Sequence, residues 1–421
     1  MAPASSVLSH SEETSPLRTL KFINGQWFDG QGFHRRTFYA VAGKLDTKAP
    51  ARVDEVIDLQ NGYVLPPFGD AHTHHFDSPR AVAQQVEMYL RDGVFYAKVQ
   101  TNLRTGAEKI AGQLNIPASI DVAYAHGGVT GNYSHPMGIY EALGLGFYMP
   151  NQQKENEAQI RESRKRENDA YYIIDTEADL DKKWPLILAG KPDFLKVFLL
   201  TSEEYEARKK RIGQGEGIDP TVLPKIVAKA HASGLRVSAH IETAFDFHTA
   251  LVSGVDEMAH LPGMFLNNET DSDQMYEVSL GDAKLAARHK VFIIPTANRI
   301  VLSPPEQQAR LKRIMAKNIA LLKKYGLKFG VGTDWVGKTS LVEAMYLKEL
   351  GVFSNLELLK SLCEETPHDI FPQRKIGQLR PGFEASFIVL IGNPIESFDQ
   401  VKSVRLRFKQ GQLITLGEKK S

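Results

Sequence analysis

The segment GDAHTHHF, residues 69–76, holds the first side chains whose types and spacing could do chemistry. His72 and His74 are two residues apart, so on an extended backbone their imidazoles project to the same side. Two imidazoles on one face at a strand end can chelate a divalent metal ion. His75 projects to the opposite side and is left aside. A lone His-x-His is weak, and its weight depends on what lines up with it. His240 closes RVSAH, His260 lies near the end of EMAHL, Asp334 closes KFGVGTD, and Lys196 sits inside FLKVFLL. Singly, each histidine reads as an ordinary hydrogen-bonded residue. Jointly, six metal-capable groups at the C-terminal side of five expected strands point to a metal site.

Lys196 is the most informative of the six. Flanked on its own face by Phe194 and Phe198, it loses solvation, which disfavours the ammonium form. A neutral amine can add carbon dioxide to become a carbamate, whose two oxygens could bridge two metal ions about 3.5–4 Å apart. The plainer alternative is a lysine paired with an acid at the mouth of the fold.

The elements that must position these groups show in the hydrophobic patterning. From about residue 17 to 65, and again over 375–417, short strand-like runs are broken by turn signals, among them Asn24-Gly25 as a hairpin signal. This predicts a small β-sandwich domain built from both chain termini. Between them, over 66–374, apolar strands alternate with amphipathic helices, the pattern of an α/β fold with a parallel sheet. Eight strands are expected, at YVLPPF, VFYAKVQ, SIDVAYAH, FLKVFLL, RVSAH, EMAHL, VFIIPT and KFGVGTD. Eight is the number that closes a (β/α)8 TIM barrel. The charged run KENEAQIRESRKREND is expected to be a solvated surface helix or lid.

Composition narrows the class. Lysine plus arginine number 51 against 50 acids, a net charge of +1, which gives no footprint for nucleic acid or an anionic membrane. Cys363 is the single cysteine, so an intrachain disulfide is impossible. No run approaches the roughly 18 apolar residues of a membrane helix. Residues 1–16 have no apolar core or basic start and read as a disordered tail rather than a signal peptide. A cytoplasmic enzyme with a small-molecule substrate is expected; homo-oligomerisation is left open.

The order HTH after the first strand, Lys on the fourth, His on the fifth and sixth and Asp on the eighth resembles the amidohydrolase superfamily. The similarity is to its binuclear branch with a carboxylated lysine, near the imidazolonepropionase-like and prolidase-like members. It extends to the closing segment IGQLRPGFEASFIVLIGNP, where Ser386 stands in place of the usual acid. The resemblance implies one ion on His72, His74, Lys196 and Asp334, a second on Lys196, His240 and His260, and a hydroxide bridging them. Zinc is the default metal. Asp334 would act as general base and acid while an activated carbonyl is attacked.

The implied reaction is hydrolysis of a C–N bond in an amide, cyclic amide or dipeptide-like substrate. A one-metal deaminase and a lactone or ester hydrolase of the same fold are the alternatives within enzymes. A non-catalytic scaffold would have lost ligands, and none is missing. The glycine-rich loop AHGGVTGNYSHP offers His126, Tyr133 and His135 as substrate contacts. Glu242 could support His240, and Asp70 could orient the chelating turn. His231 and His248 read as ordinary helix residues.

Overall fold

Turn-punctuated alternation at the start of the chain becomes five strands: β1 (Leu20–Phe28), β2 (Phe33–Val41), β3 (Lys44–Asp46), β4 (Glu55–Asp58) and β5 (Tyr63–Leu65). The middle of the chain supplies β6 (Phe68–Thr73), β7 (Val94–Val99), β8 (Asp121–Tyr124), β9 (Gly128–Thr130), β10 (Tyr171–Ile173), β11 (Leu195–Phe198), β12 (Val237–His240), β13 (Glu257–Met258) and β14 (Phe292–Ile293). The end adds β15 (Phe387–Leu390), β16 (Val404–Lys409) and β17 (Gln412–Leu413). These elements come from a computed structural model that describes residues 18–210 and 217–417. The tail expected over 1–16 lies outside the described residues.

Strands from both ends of the chain fall in one sheet, in the order β17-β16-β15-β5-β1-β2-β3, with β4 beside β1. Its apolar face closes over an aromatic cluster: Phe22 meets Phe387 edge-on at 4.9 Å, and Trp27 packs on Phe38 at 4.4 Å. The hairpin expected at Asn24-Gly25 is not there. Asn24 takes a left-handed φ of 55° inside β1, where the register with β2 shifts between Phe22 and Gly25, which marks a bulge. The chain reverses later, where the Asp29 carboxylate accepts from the Gln31 and Gly32 backbone N–H groups at 3.0 Å each.

Two parallel sheets make up the middle of the chain, β6-β7-β8 and β10-β9-β11-β12-β13-β14. YVLPPF, expected as one strand, divides at Pro66-Pro67, because proline has no N–H to give a ladder. β5 joins the terminal sheet and β6 starts afresh in the parallel one. KFGVGTD forms no named strand, only a bridge from Phe329 to Ile293. It nevertheless hydrogen-bonds to both sheets. Gly330 N donates to Ile293 O at 2.8 Å, Ala71 N to Val331 O at 2.8 Å, and Asp334 N to His72 O at 2.8 Å. Glycine is needed for this approach, since a Cβ on Gly332 would lie 2.6 Å from that of His72.

The charged run starting at Lys154 becomes two short helices, Pro150–Glu155 and Glu157–Glu162, followed by a turn fastened from below. The buried Glu141 carboxylate accepts from Lys165 N at 3.0 Å, Arg166 N at 2.7 Å and the Tyr171 hydroxyl at 2.7 Å. Among the described residues, no helix is long and apolar enough to cross a membrane.

Candidate metal centre

All six expected ligand residues line one cavity of about 1520 Å³. Their supports are the ends of parallel strands: His72 on β6 with His74 just beyond it, Lys196 on β11, and His240 closing β12. His260 follows β13 by two residues, and Asp334 ends the segment wedged between β14 and β6. The imidazoles touch in series, with ring centroids 5.3 Å apart for His72–His74, 4.7 Å for His72–His260 and 4.4 Å for His240–His260. One nitrogen each from His72 and His74 and one Asp334 oxygen lie within 4.8 Å of one another.

Hydrogen bonding on the far side of two rings orients them. His74 Nδ1 lies 3.1 Å from both the carbonyl and the hydroxyl oxygen of Thr101, contacts that orient the ring. Thr296 Oγ1, which also lies 2.8 Å from the Pro295 carbonyl, stands 2.7 Å from His260 Nδ1 and orients that ring. The Nε2 of His74 stands 3.1 Å from Asp334 Oδ1. An imidazole nitrogen and a carboxylate oxygen that close share either a proton or a cation.

Further buried polar atoms have no hydrogen-bond partner among the described residues: His72 Nδ1, His240 Nε2 and Lys196 Nζ. Stranding such groups is costly, and a bound cation would satisfy those that present a lone pair. Burial holds the His72 and His260 rings neutral and brings His240 down to about 3. Burial alone would raise the Asp334 carboxyl, but His72, His74 and Arg299 more than offset this and hold it well below the usual range.

Lys196 is fully enclosed. Burial brings its amine down to about 7, partly opposed by Glu257 and Asp334. Its Nζ lies 5.4 Å from the Phe198 ring centroid, whereas Phe194 lies beneath a different lysine, Lys98, at 4.7 Å. Lys98 anchors a buried ionic network, bonded to Glu257 and, at 2.8 Å, to Asp369, which also pairs with Arg236 at 2.8 Å.

The expected substrate contacts separate. His135 and Tyr133 line the cavity; the His135 ring lies 5.1 Å from His240 and 5.2 Å from Phe198, and the Arg164 guanidinium stands over Tyr133 at 5.1 Å. His126 is not among the lining residues. It stacks on Tyr124 at 4.8 Å and exchanges hydrogen bonds with Asn102, because its positive φ turns the side chain back toward the preceding strand. Glu242 reaches the cavity, with an oxygen 3.8 Å from His240 Nε2 and a hydrogen bond from Thr201 at 2.8 Å. Asp70 accepts from His72 N at 3.2 Å and so holds the chelating turn. His231 and His248 pair with Asp256 and Asp282 away from the site.

Arg299 and Trp335 also line the cavity, and neither stands out in the sequence. Arg299 Nη1 donates to the Asp334 carbonyl at 3.0 Å, and its Nε lies 3.6 Å from Asp334 Oδ2. Arginine at a helical turn is too common a pattern to have marked it.

No protein-family model matches the chain. The ochratoxinase of Aspergillus niger is 26% identical over 202 residues, a match that covers 46% of this chain and 41% of that enzyme, under half its length. The solved structure of A. niger ochratoxinase superposes with a TM-score of 0.72 at 16% identity, over 96% of this chain and 97% of that one. An amidohydrolase gives 0.67 at 18% identity, and a Xaa-Pro dipeptidase with methionine bound in its active site gives 0.68 at 17%. Each of those two covers 95% of this chain and 100% of the other.

Proposed function

We propose, from a chain with the fold of the amidohydrolase superfamily, a metal-dependent hydrolase that cleaves a C–N bond in an amide, cyclic amide or dipeptide-like small molecule. The observation that carries this is the convergence of His74 Nε2 on an Asp334 oxygen at 3.1 Å, in a cavity that also strands polar atoms of His72, His240 and Lys196. We take the two parallel sheets as the halves of a (β/α)8 barrel, and the terminal sheet, curled over its aromatic cluster, as the small β domain.

The residues fit the metal that the resemblance implies. His72, His74 and Asp334 would hold one divalent ion, His240 and His260 a second, and Lys196 would serve both. Zinc suits imidazole with carboxylate. Such ions supply Lewis acidity, making a water nucleophilic near neutral pH and polarising a carbonyl. Lys196 contributes as a carbamate: its neutral amine attacks carbon dioxide, a C–N bond forms, and the displaced proton leaves for solvent. The Asp334 carboxylate accepts the proton released on attack and returns it to the leaving nitrogen. His135 and Tyr133 orient the substrate above the centre.

Elemental analysis of wild type and Lys196→Ala, alongside assays on N-acyl amino acids and dipeptides, tests the reading. About two ions per chain, falling sharply in the variant together with amide hydrolysis, are expected for a bridged site. One ion per chain, unchanged in Lys196→Ala, would overturn the carbamate and favour deaminase chemistry.

A further inference from the structure

Resting on that reading of the site, we propose that His75 is a positioning residue. It holds the pocket wall formed by Trp335 and Val336 through the hydrogen bond that its Nε2 accepts from the Gly337 backbone.

His75 is buried and points away from the ligand cluster, so it has no place among the metal ligands. Its Nε2 lies 2.8 Å from Gly337 N. A backbone N–H can only donate, so Nε2 is bare and the ring proton sits on Nδ1. Nδ1 in turn lies 2.7 Å from Thr73 Oγ1 and 3.1 Å from the Tyr89 oxygen. The Tyr89 hydroxyl donates to Asp70 Oδ2 at 2.9 Å, and the other oxygen of Asp70 accepts from Thr333 N at 3.1 Å. The segment that carries Asp334 is therefore pinned three times to the HTH turn: Thr333 on Asp70, Asp334 N on the His72 carbonyl, and Gly337 on His75.

Between the Asp334 and Gly337 pins stand Trp335 and Val336, both lining the cavity. Val336 is 72% exposed, so packing holds it little, and the Gly337 hydrogen bond restrains its far side one residue on, ahead of Lys338 N on the Trp335 carbonyl at 3.2 Å and Thr339 Oγ1 on Asp92 at 2.6 Å. The same turn that presents His72 and His74 thereby sets the wall against which a substrate would lie. A competing account is that His75 merely fills space beside Phe76 and Tyr89, whose rings lie 5.8 and 5.5 Å away. His75→Phe keeps a ring without an acceptor, whereas His75→Gln retains an acceptor near Nε2, so the pair separates the two accounts.

Two readouts do not depend on turnover. Histidine ¹⁵N NMR of wild type is expected to show His75 with Nδ1 protonated and Nε2 bare; the opposite tautomer would overturn the proposal. Of the three tryptophans, Trp27 and Trp184 are buried, so acrylamide quenching reports Trp335, with Trp335→Phe as the control. His75→Phe is expected to raise that quenching, and to raise KM for a bulky amide about fivefold, the scale of one lost hydrogen bond, with kcat and metal content little changed. His75→Gln is expected to restore both. Equal quenching in the two variants would overturn the proposal. If His75→Phe does not fold, the wild-type tautomer and the quenching of His75→Gln against wild type decide. Quenching that shifts as expected in a protein with no amide hydrolysis would uphold His75 and sink the hydrolase reading.

Discussion

Asp334 carries a backbone φ of 46°, a left-handed conformation that costs a non-glycine residue about 1–3 kcal/mol. It is held there from both sides, by its own N–H on the His72 carbonyl and by Arg299 on its carbonyl. Asp334→Asn keeps the shape and removes the charge. A fall in kcat of about 10²–10⁴-fold is expected, the usual contribution of a general acid or base, with an unchanged circular dichroism spectrum. A loss under about tenfold would take Asp334 out of proton transfer. The ligand-type residues could be picked from sequence because their clue is local: a spacing of two, or a place at the end of an apolar run. His75 and Arg299 could not, because their partners, Gly337 and Asp334, are decided by tertiary contact.

Between elements, the helix Ser340–Glu349 reaches across through Glu343. Its buried carboxylate accepts from Ala297 N at 2.8 Å and Asn298 N at 2.7 Å, and the Asn298 amide donates to the Thr333 carbonyl at 3.0 Å. Burial pushes the Glu343 carboxyl up from 4.5 to about 8, against the pull of those two N–H groups. A folded value above the unfolded one means that the native state binds the proton more tightly. The resulting stability is present in full below the unfolded value and is lost as pH rises through about 8. Denaturant melts are expected to show wild type losing stability relative to Glu343→Gln between those limits, at up to about 1.4 kcal/mol per pH unit. A flat difference would mean that Glu343 is ionised throughout. Element existence was mostly readable from periodicity, but element bounds were not. Asn24-Gly25 bulges rather than turns, and YVLPPF divides at its prolines, because which neighbour supplies the ladder decides the outcome.

Across the whole molecule, the terminal sheet is fastened to the parallel layer through Asp121 on β8. Its carboxylate accepts from Lys409 Nζ at 2.6 Å and Arg374 Nη1 at 2.8 Å, and Lys409 also donates to the Ile116 and Ser119 carbonyls. Lys409 is fully buried, so Asp121→Ala leaves its charge without a counter-ion. A loss of about 3–5 kcal/mol in unfolding free energy is expected, with the metal content of the folded fraction unchanged. A loss below about 1 kcal/mol would show that the two units stand independently of this tie.

By itself, the sequence determined the alternation of strand and helix through the middle of the chain, the strand-rich ends, and the candidate ligands with their order. Periods of two and 3.6 residues, and the chemistry of imidazole, carboxylate and enclosed amine, are properties of neighbouring residues and need no knowledge of the whole. Only the tertiary structure decided that KFGVGTD wedges between two sheets, that His126 turns away while His135 turns in, and that His75 reaches Gly337. Each depends on a hydrogen bond or a steric approach between segments that no local pattern relates, so the bond exists only once the chain has closed on itself.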